Sequence, residues 1–313
     1  MDMTQSSIIE TNRLKRDFKS VTAVDELTLS IAPGELFGLV GPDGAGKTTT
    51  LRLLAGLLDI TEGDATILGF DLKSQAETIK PHVGYMAQQF SLYGELSVLE
   101  NLGFFAELFD VSKQDQKERT QRLLEFAGLT EFTDRRAADL SGGMQKKLAL
   151  ACTLIHQPEI LLLDEPTTGV DPVSRREFWN ILTELHVQGT TIIVSTPYMD
   201  EADRCSQVGL MYAGKLVECD TPQAIRSRLE GDVIEVQAEE WGKALETVAD
   251  LKGIRETQTY GEALHLLVDN GKKRLPEIER ALKKSKVSYR NIRIAPARME
   301  EAFISLIRRM EAE

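Results

Sequence analysis

Gly41-Pro42-Asp43-Gly44-Ala45-Gly46-Lys47-Thr48 is the stretch that decides how this chain is read. It fits G-x-x-x-x-G-K-[ST], it follows the apolar run Leu36 to Val40, and it opens the helical run Thr49 to Leu58. Glycines let main-chain N–H groups turn inward and approach phosphate oxygens, and a helix N-terminus adds positive potential at the same place. Lys47 can neutralise phosphate charge, and the Thr48 hydroxyl can ligate Mg²⁺. A nucleotide bound here would meet Gly41, Asp43, Gly44, Ala45, Gly46, Lys47, Thr48 and Thr49. A glycine-rich turn with a chance lysine is the bland alternative. The strand before it and the helix after it argue for phosphate.

Outward from this loop, residues 1–230 alternate strand-like apolar runs with helical patterns, which predicts an α/β fold with a mostly parallel sheet wrapped by helices. Leu36 to Val40, Ile160 to Leu163 and Thr191 to Val194 are apolar on both faces and read as buried strands. Ligands in such sheets sit beyond the carboxyl ends of the strands, so the turns after these runs are the places to look for chemistry. Residues 90–145 break the rhythm with helix-period spacing (Leu99, Leu102, Phe105, Ala106, Phe109) and predict a helical insertion. A boundary is expected near Gly231. Beyond it, residues 231–313 read as strand 232–237, helix 240–250, strands 254–260 and 263–268, helix 274–284, strand 288–294 and helix 298–310. That order, βαββαβ, predicts a small α+β ferredoxin-like domain.

Composition excludes several classes. A hydrophobic fraction of 42% and a charged fraction of 27% belong to an ordinary globular chain rather than a disordered one. No window reaches the roughly 18 apolar residues that a membrane span needs. Met1 to Gln5 has neither the basic start nor the apolar run of a secretory signal, so a cytoplasmic chain is expected. The three cysteines, Cys152, Cys205 and Cys219, lack metal-type spacing and are expected as reduced packing residues. A net charge of -12 argues against nucleic acid as a partner. From Gly231 onward 15 basic and 15 acidic residues cancel, so the whole excess lies in the first 230 residues.

Two further segments carry chemistry. Ile160-Leu161-Leu162-Leu163-Asp164-Glu165-Pro166 is a buried strand ending in two carboxylates. Asp164 can hold Mg²⁺ through water, and Glu165 can polarise a water in line with a terminal phosphate. Alone, an acid pair at a strand end is often merely solvated; beside a phosphate loop it supplies the roles that the loop lacks. Leu140-Ser141-Gly142-Gly143-Met144-Gln145 opens another helix and presents a second helix N-terminus, which in isolation is as readily a simple cap.

Taken in order, the phosphate loop, Gln88 in Tyr85-Met86-Ala87-Gln88, L-S-G-G-M at 140–144, L-L-L-D-E-P at 161–166 and G-V-D-P at 169–172 resemble the ATPases of ATP-binding cassette (ABC) transporters. The resemblance is strong over residues ~8–220. Its nearest branch is drug- and polysaccharide-exporter-like, especially the N-terminal ATPase unit of tandem bacterial multidrug exporters, and it loosely includes the tail around Met299 to Phe303. It implies a P-loop NTPase core with a helical subdomain, and ATP and Mg²⁺ as cofactors. It implies that Phe18 stacks on adenine, although a core aromatic is the open alternative. It further implies that Gln88 senses Mg²⁺ and the membrane subunit, that Thr48, Gln88 and Asp164 form the metal set, and that Glu165 and Gln88 are catalytic. Ser141, Gly142 and Gly143 would close on ATP held by another copy, and Asp171 would communicate across that dimer, with an ordinary turn acid as its alternative.

The implied partners are a second ABC ATPase unit, as a homodimer or as an intact unit in a tandem or heterodimer, and a transmembrane permease. The implied place is the inner face of a bacterial cell membrane. Phe90, Leu92 and Tyr93 would rim the groove for the permease. One departure matters. The family usually places a histidine just after the switch strand, and this chain has Pro197 in Val194-Ser195-Thr196-Pro197-Tyr198, while His82, His156, His186 and His265 fall outside the motif with surface or packing roles expected. The expected function is therefore an exporter's ATP-binding subunit with impaired hydrolysis. The alternatives are a regulatory ATP-binding module with little hydrolysis and a soluble ABC protein acting on ribosomes or DNA. An acidic chain disfavours the last.

Overall fold

Apolar residues on both faces place a strand inside a sheet covered from both sides, and three segments meet that condition. Leu36–Val40, Ile160–Asp164 and Thr191–Thr196 are buried at every position. In the computed structural model, which describes residues 7–89, 92–249 and 251–312, all three lie in one six-stranded sheet.

The chain divides into two units, Met1–Pro222 and Gln223–Glu313. In chain order the first carries β1 (Ile9–Phe18), β2 (Val21–Ile31), β3 (Leu36–Val40), α1 (Lys47–Leu54), β4 (Glu62–Ile67), β5 (Phe70–Asp71), α2 (Leu72–Ile79) and β6 (Val83–Met86). It continues through α3 (Val98–Leu108), α4 (Lys113–Ala127), α5 (Gly142–Leu154), β7 (Ile160–Asp164), α6 (Pro172–Val187), β8 (Thr191–Thr196), α7 (Met199–Ala202), β9 (Gln207–Tyr212) and β10 (Lys215–Asp220). The short helix α8 (Pro222–Ser227) begins at the division, which falls before the 230/231 boundary expected from sequence.

The main sheet has the order β10-β9-β3-β8-β7-β6, parallel except for the β9–β10 pair. Parallel pairing brings the carboxyl ends of β3, β6, β7 and β8 to one edge. Gly41, Gln88, Glu165 and Pro197 each follow one of those ends closely. The expectation of a mostly parallel sheet holds for this layer alone. A second, antiparallel sheet of order β2-β1-β4-β5 precedes and interrupts it in sequence. Its strands alternate buried and exposed residues, as in Glu62–Ile67, because only one face is covered. Ile9, Leu27 and Ile31 of that sheet share a core with Phe37, Leu162, Ile193 and the Leu51 and Leu54 side chains of α1. Burying each such side chain contributes about 2 kcal/mol, which ties α1 and its leading loop to both sheets.

Between β6 and β7 lie the three helices α3, α4 and α5, with Val98, Leu102, Leu124 and Leu148 in a core of their own. Ser97 starts α3 as half of a capping box: its hydroxyl accepts from the Glu100 N–H at 3.1 Å, and the Glu100 carboxylate accepts from the Ser97 N–H at 2.7 Å. Helix α4 ends at Gly128, where φ is +65°, a turn that glycine adopts without a Cβ penalty.

The second unit carries β11 (Asp232–Ala238), α9 (Trp241–Ala249), β12 (Ile254–Tyr260), β13 (Ala263–Val268), α10 (Gly271–Lys284), β14 (Tyr289–Ala295) and α11 (Met299–Ala312). The sheet order is β12-β13-β11-β14, and every neighbouring pair is antiparallel. Ile234, Val236, Leu264 and Leu266 pack against Ala244 and Val248 of α9 and Ile278 and Leu282 of α10. Strand alternation turns Glu235 and His265 to the other face, where the His265 Nδ1 lies 2.6 Å from Oε1 of Glu301 in α11. Among the described residues no helix is long and apolar enough to cross a membrane.

Candidate functional site

The loop between β3 and α1 is a cradle that tolerates no side chains beneath it. A Cβ on Gly41 would lie 2.2 Å from the Met211 carbonyl oxygen, and one on Gly46 would lie 2.3 Å from that of Ala23. Gly46 also has a φ of +102°, a left-handed region that L residues rarely enter. Over Gly44 the opposite holds: no heavy atom lies within 4 Å of where its Cβ would be, so the loop's crest is open. Gly46 is the N-cap of α1 and no side chain caps it, which leaves the first N–H groups of the helix available to an anion. Asp43 and Gly44 are exposed, while Ala45 is buried and receives the Gly214 N–H on its carbonyl at 3.0 Å.

Lys47 is almost wholly buried. Its ammonium donates to the Gly41 and Pro42 carbonyls at 2.8 and 2.9 Å and pairs with Glu165 Oε1 at 3.4 Å. A buried ammonium is retained because carbonyls and a carboxylate surround it.

The two acids at the end of β7 are held differently. Asp164 is fully buried, and its Oδ1 accepts from the Thr48 hydroxyl at 2.9 Å and the Ser195 hydroxyl at 2.8 Å. That juxtaposition of a hydroxyl from α1 and a carboxylate from β7 fits a hard divalent cation, which takes oxygen ligands and keeps several of its waters. Tyr85 adds a longer contact, its hydroxyl 3.4 Å from Asp164 Oδ2 and from Arg52 Nε. Burial, above all, raises the Tyr85 phenol above its ordinary pKa. Glu165 has a φ of +44°, a strained backbone for a glutamate. Its N–H donates to the Ser195 hydroxyl at 2.9 Å, and its Oε2 accepts from the Gln88 amide at 2.7 Å and the Thr168 hydroxyl at 3.2 Å. Lys47, Thr48, Gln88, Asp164 and Glu165 thus form one connected group, with Lys47 joining loop to acid. Lys146 of α5 reaches the Gln88 carbonyl at 2.5 Å, and burial lowers its ammonium below the ordinary lysine value.

Other expected residues lie elsewhere. Ser141 is the N-cap of α5, its hydroxyl accepting the Met144 N–H at 3.3 Å, and both it and Gly142 are exposed. A Cβ on Gly143 would lie 2.5 Å from the Ser174 hydroxyl, so glycine lets α5 approach α6. Asp171 caps α6 by accepting the Val173 and Ser174 N–H groups, each at 3.0 Å, and the Ser174 hydrogen bonds hold its carboxyl below the ordinary range. Ser141 to Gly143 therefore neighbour the Asp171 helix of the same chain. Phe18 ends β1, 40% exposed, with the Arg16 guanidinium 4.6 Å from its ring centre. The hairpin it begins includes Ala23, whose carbonyl underlies Gly46. Of the expected groove rim, Tyr93 is 51% exposed and edge-on to Phe104 at 4.7 Å, Leu92 packs on the insertion's core, and Phe90 lies outside the described residues.

Pro197 comes directly after Thr196, whose carbonyl accepts the Gly41 N–H at 3.3 Å, so the departure sits beside the phosphate loop. The four histidines are engaged elsewhere or lie in other elements. His82 meets Glu159, His156 stacks on Phe109 with burial lowering its pKa to about 4, His186 is in the last turn of α6, and His265 meets Glu301. Cys152 and Cys205 are buried free thiols and Cys219 is exposed. Sequence reasoning missed Ser195, which contacts both acids. Its signal was a hydroxyl directly after the apolar run Ile192 to Val194 of a buried strand.

Comparison with known proteins agrees with this geometry. The family model described as ABC transporter matches residues 24–168. Over 226 residues the chain is 43% identical to the "Probable multidrug ABC transporter ATP-binding protein YbhF" of Escherichia coli (strain K12). That match takes in 72% of this chain and 39% of the relative, so the chain spans well under half of that protein's length. It is 36% identical over 303 residues to the Nod factor export ATP-binding protein I of Cupriavidus metallidurans, covering 96% of this chain and 97% of that one. Among solved structures, a dimeric ATP-binding cassette in a post-hydrolysis state with ADP and phosphate superposes with a TM-score of 0.63 at 25% identity, over 68% of this chain and 98% of that one.

Proposed function

The chain belongs to the ATP-binding subunits of ABC transporters, and from that premise we propose that it energises an exporter by binding MgATP at residues 41–48 and hydrolysing it slowly. The observation that carries this reading is the single connected group of Lys47, Thr48, Gln88, Asp164 and Glu165, with Pro197 beside it in place of a titratable side chain. In this reading Lys47 and the uncapped N-terminus of α1 take the phosphates. Thr48, Asp164 and Gln88 surround Mg²⁺, and Glu165 polarises the attacking water. Phe18 stacks on the base. Proline supplies neither a donor nor a base toward the terminal phosphate, so the step after binding is slow.

Ser141, Gly142, Gly143 and Asp171 serve a second ATPase unit, a reading supported by their place together at the starts of α5 and α6, outside the connected group around Lys47. Two such units enclose ATP between one unit's loop and the other's L-S-G-G segment. Pro197 favours a pairing in which the partner unit brings an intact site, and it also supports the second reading, a regulatory ATP-binding module. The transmembrane permease docks on the helical subdomain, about residues 90–145, near Tyr93, which places the chain on the inner face of the bacterial cell membrane. Export is supported by the relatives named for multidrug and Nod factor export. Residues 231–313 form an accessory ferredoxin-like domain, a reading supported by their βαββαβ order and the 2-3-1-4 antiparallel sheet.

The test is recovery of the native chain from detergent-solubilised membranes, together with titration by MgATP. Saturable ATP binding and co-recovery of a multispanning membrane protein are expected. Recovery with ribosomes, or no ATP binding, would refute the reading.

A further inference from the structure

Glu201 is 1% exposed, and its carboxylate is the meeting point of three segments. Its Oε1 accepts from the Thr167 hydroxyl at 2.7 Å, Arg175 Nε at 2.6 Å and the Trp179 indole at 2.8 Å, while Oε2 accepts from the Thr196 hydroxyl at 2.5 Å. A carboxylate without partners is not kept in a protein interior; this one is kept because four donors converge on it. Thr167 belongs to the turn after β7, Thr196 ends β8, and Arg175 and Trp179 are on α6. Arg175 also grips Asp200 through two hydrogen bonds of 2.9 and 3.0 Å.

Two of these segments, the turn after β7 and the end of β8, also hold Glu165. Its positive φ is a conformation that persists only where neighbouring structure imposes it. On one side the Glu165 N–H is fixed to Ser195. On the other, the turn closes with the Thr168 N–H on the Glu165 carbonyl at 3.2 Å, and between them the Thr167 hydroxyl is anchored on Glu201. We infer that Glu201 is a positioning residue: through Thr167 it holds the turn after β7 in the conformation that aims Glu165 at Lys47 and the phosphate loop. This rests on the reading of Glu165 as the group that polarises water.

Single-turnover hydrolysis of MgATP by the full chain tests it, with ATP affinity and thermal unfolding measured on the same samples. The set is wild type, Glu165→Gln, Thr167→Val, Glu201→Gln and the Thr167→Val/Glu201→Gln pair. Misplacing a reacting group by about 1 Å costs about a hundredfold in rate, so Glu201→Gln and Thr167→Val are each expected to slow the step by about tenfold to a hundredfold. ATP affinity should change by less than about threefold, and the pair should be no slower than the worse single variant, because both cut one path. Thr167→Val keeps the test alive if Glu201→Gln does not fold, since it removes one hydroxyl from the same contact. Thr167→Val at the wild-type rate, additive losses, or a fall in affinity that matches the fall in rate would each overturn the inference. Glu165→Gln separates the claims. If it is inactive while Thr167→Val is unaffected, only the role of Glu201 fails; if it runs at the wild-type rate, the reading of Glu165 fails first.

Discussion

Two helices of the first unit turn their N-termini toward places where an anion can sit, and they are finished in opposite ways. Helix α1 starts at Gly46 without any side-chain cap, with a buried lysine as its first residue. Helix α5 starts at Gly142 under the exposed hydroxyl of Ser141, which already satisfies the Met144 N–H. Free N–H groups, an open crest at Gly44 and a buried ammonium make the first terminus a receptor within this chain. The second has its cap and a small-residue surface, and in the proposed dimer it closes on ATP held by another copy. On the proposed reading, one chain carries one receiving face and one closing face.

The largest effect is expected from Lys47→Ala. Removing one partner from a desolvated charge pair costs several kcal/mol, so ATP affinity of the isolated chain should fall by about a hundredfold or more in a calorimetric titration. Retained affinity would mean that the loop is not the receptor. Ser141→Ala should leave ATP affinity of the isolated chain within about twofold while lowering thermal stability by about 1 kcal/mol, the usual cost of losing a helix cap. ATP-driven dimerisation, followed by sedimentation in the Glu165→Gln background, should be weakened by the same change. Equal loss of ATP affinity in Ser141→Ala and Lys47→Ala would erase the distinction between the faces.

The smallest effect concerns the neighbouring cap at Asp171. Its folded pKa is depressed, so the stability it adds is complete above the ordinary value of 3.8 and is lost as pH falls through the lower folded value. Unfolding curves taken on either side of that window should show wild type converging on Asp171→Asn at the acid end. Parallel curves would remove the carboxylate from the account.

Much of this was legible because buried parallel strands are apolar on both faces and stop at the residues to which the proposal gives the chemistry. Leu36 to Val40 pointed to Gly41, and Ile160 to Leu163 pointed to Asp164 and Glu165. In the second unit, the readings 254–260 and 263–268 coincide with β12 and β13 because the turn at Gly261 interrupts them. The antiparallel sheet was harder: β1 and β2 carry register shifts along their pairing, which blur the period-two pattern. What sequence could not supply is long-range convergence. Nothing near Glu201 in the chain announces that donors from positions 167, 175, 179 and 196 will meet on it, and nothing in Leu163-Asp164-Glu165 announces the positive φ of Glu165. That the Gln88 amide bonds Glu165 is likewise a contact that only the folded chain defines.

We propose that this site receives ATP fully and hydrolyses it poorly because Pro197 stands beside the loop. Steady-state ATP turnover by the isolated chain, compared with Pro197→His and Glu165→Gln, tests it directly. Wild-type turnover well below about 1 s⁻¹, the low end for typical enzymes, is expected, with a rise of about tenfold or more in Pro197→His. A brisk wild-type rate that disappears in Glu165→Gln, or a Pro197→His variant no faster than wild type, would contradict it.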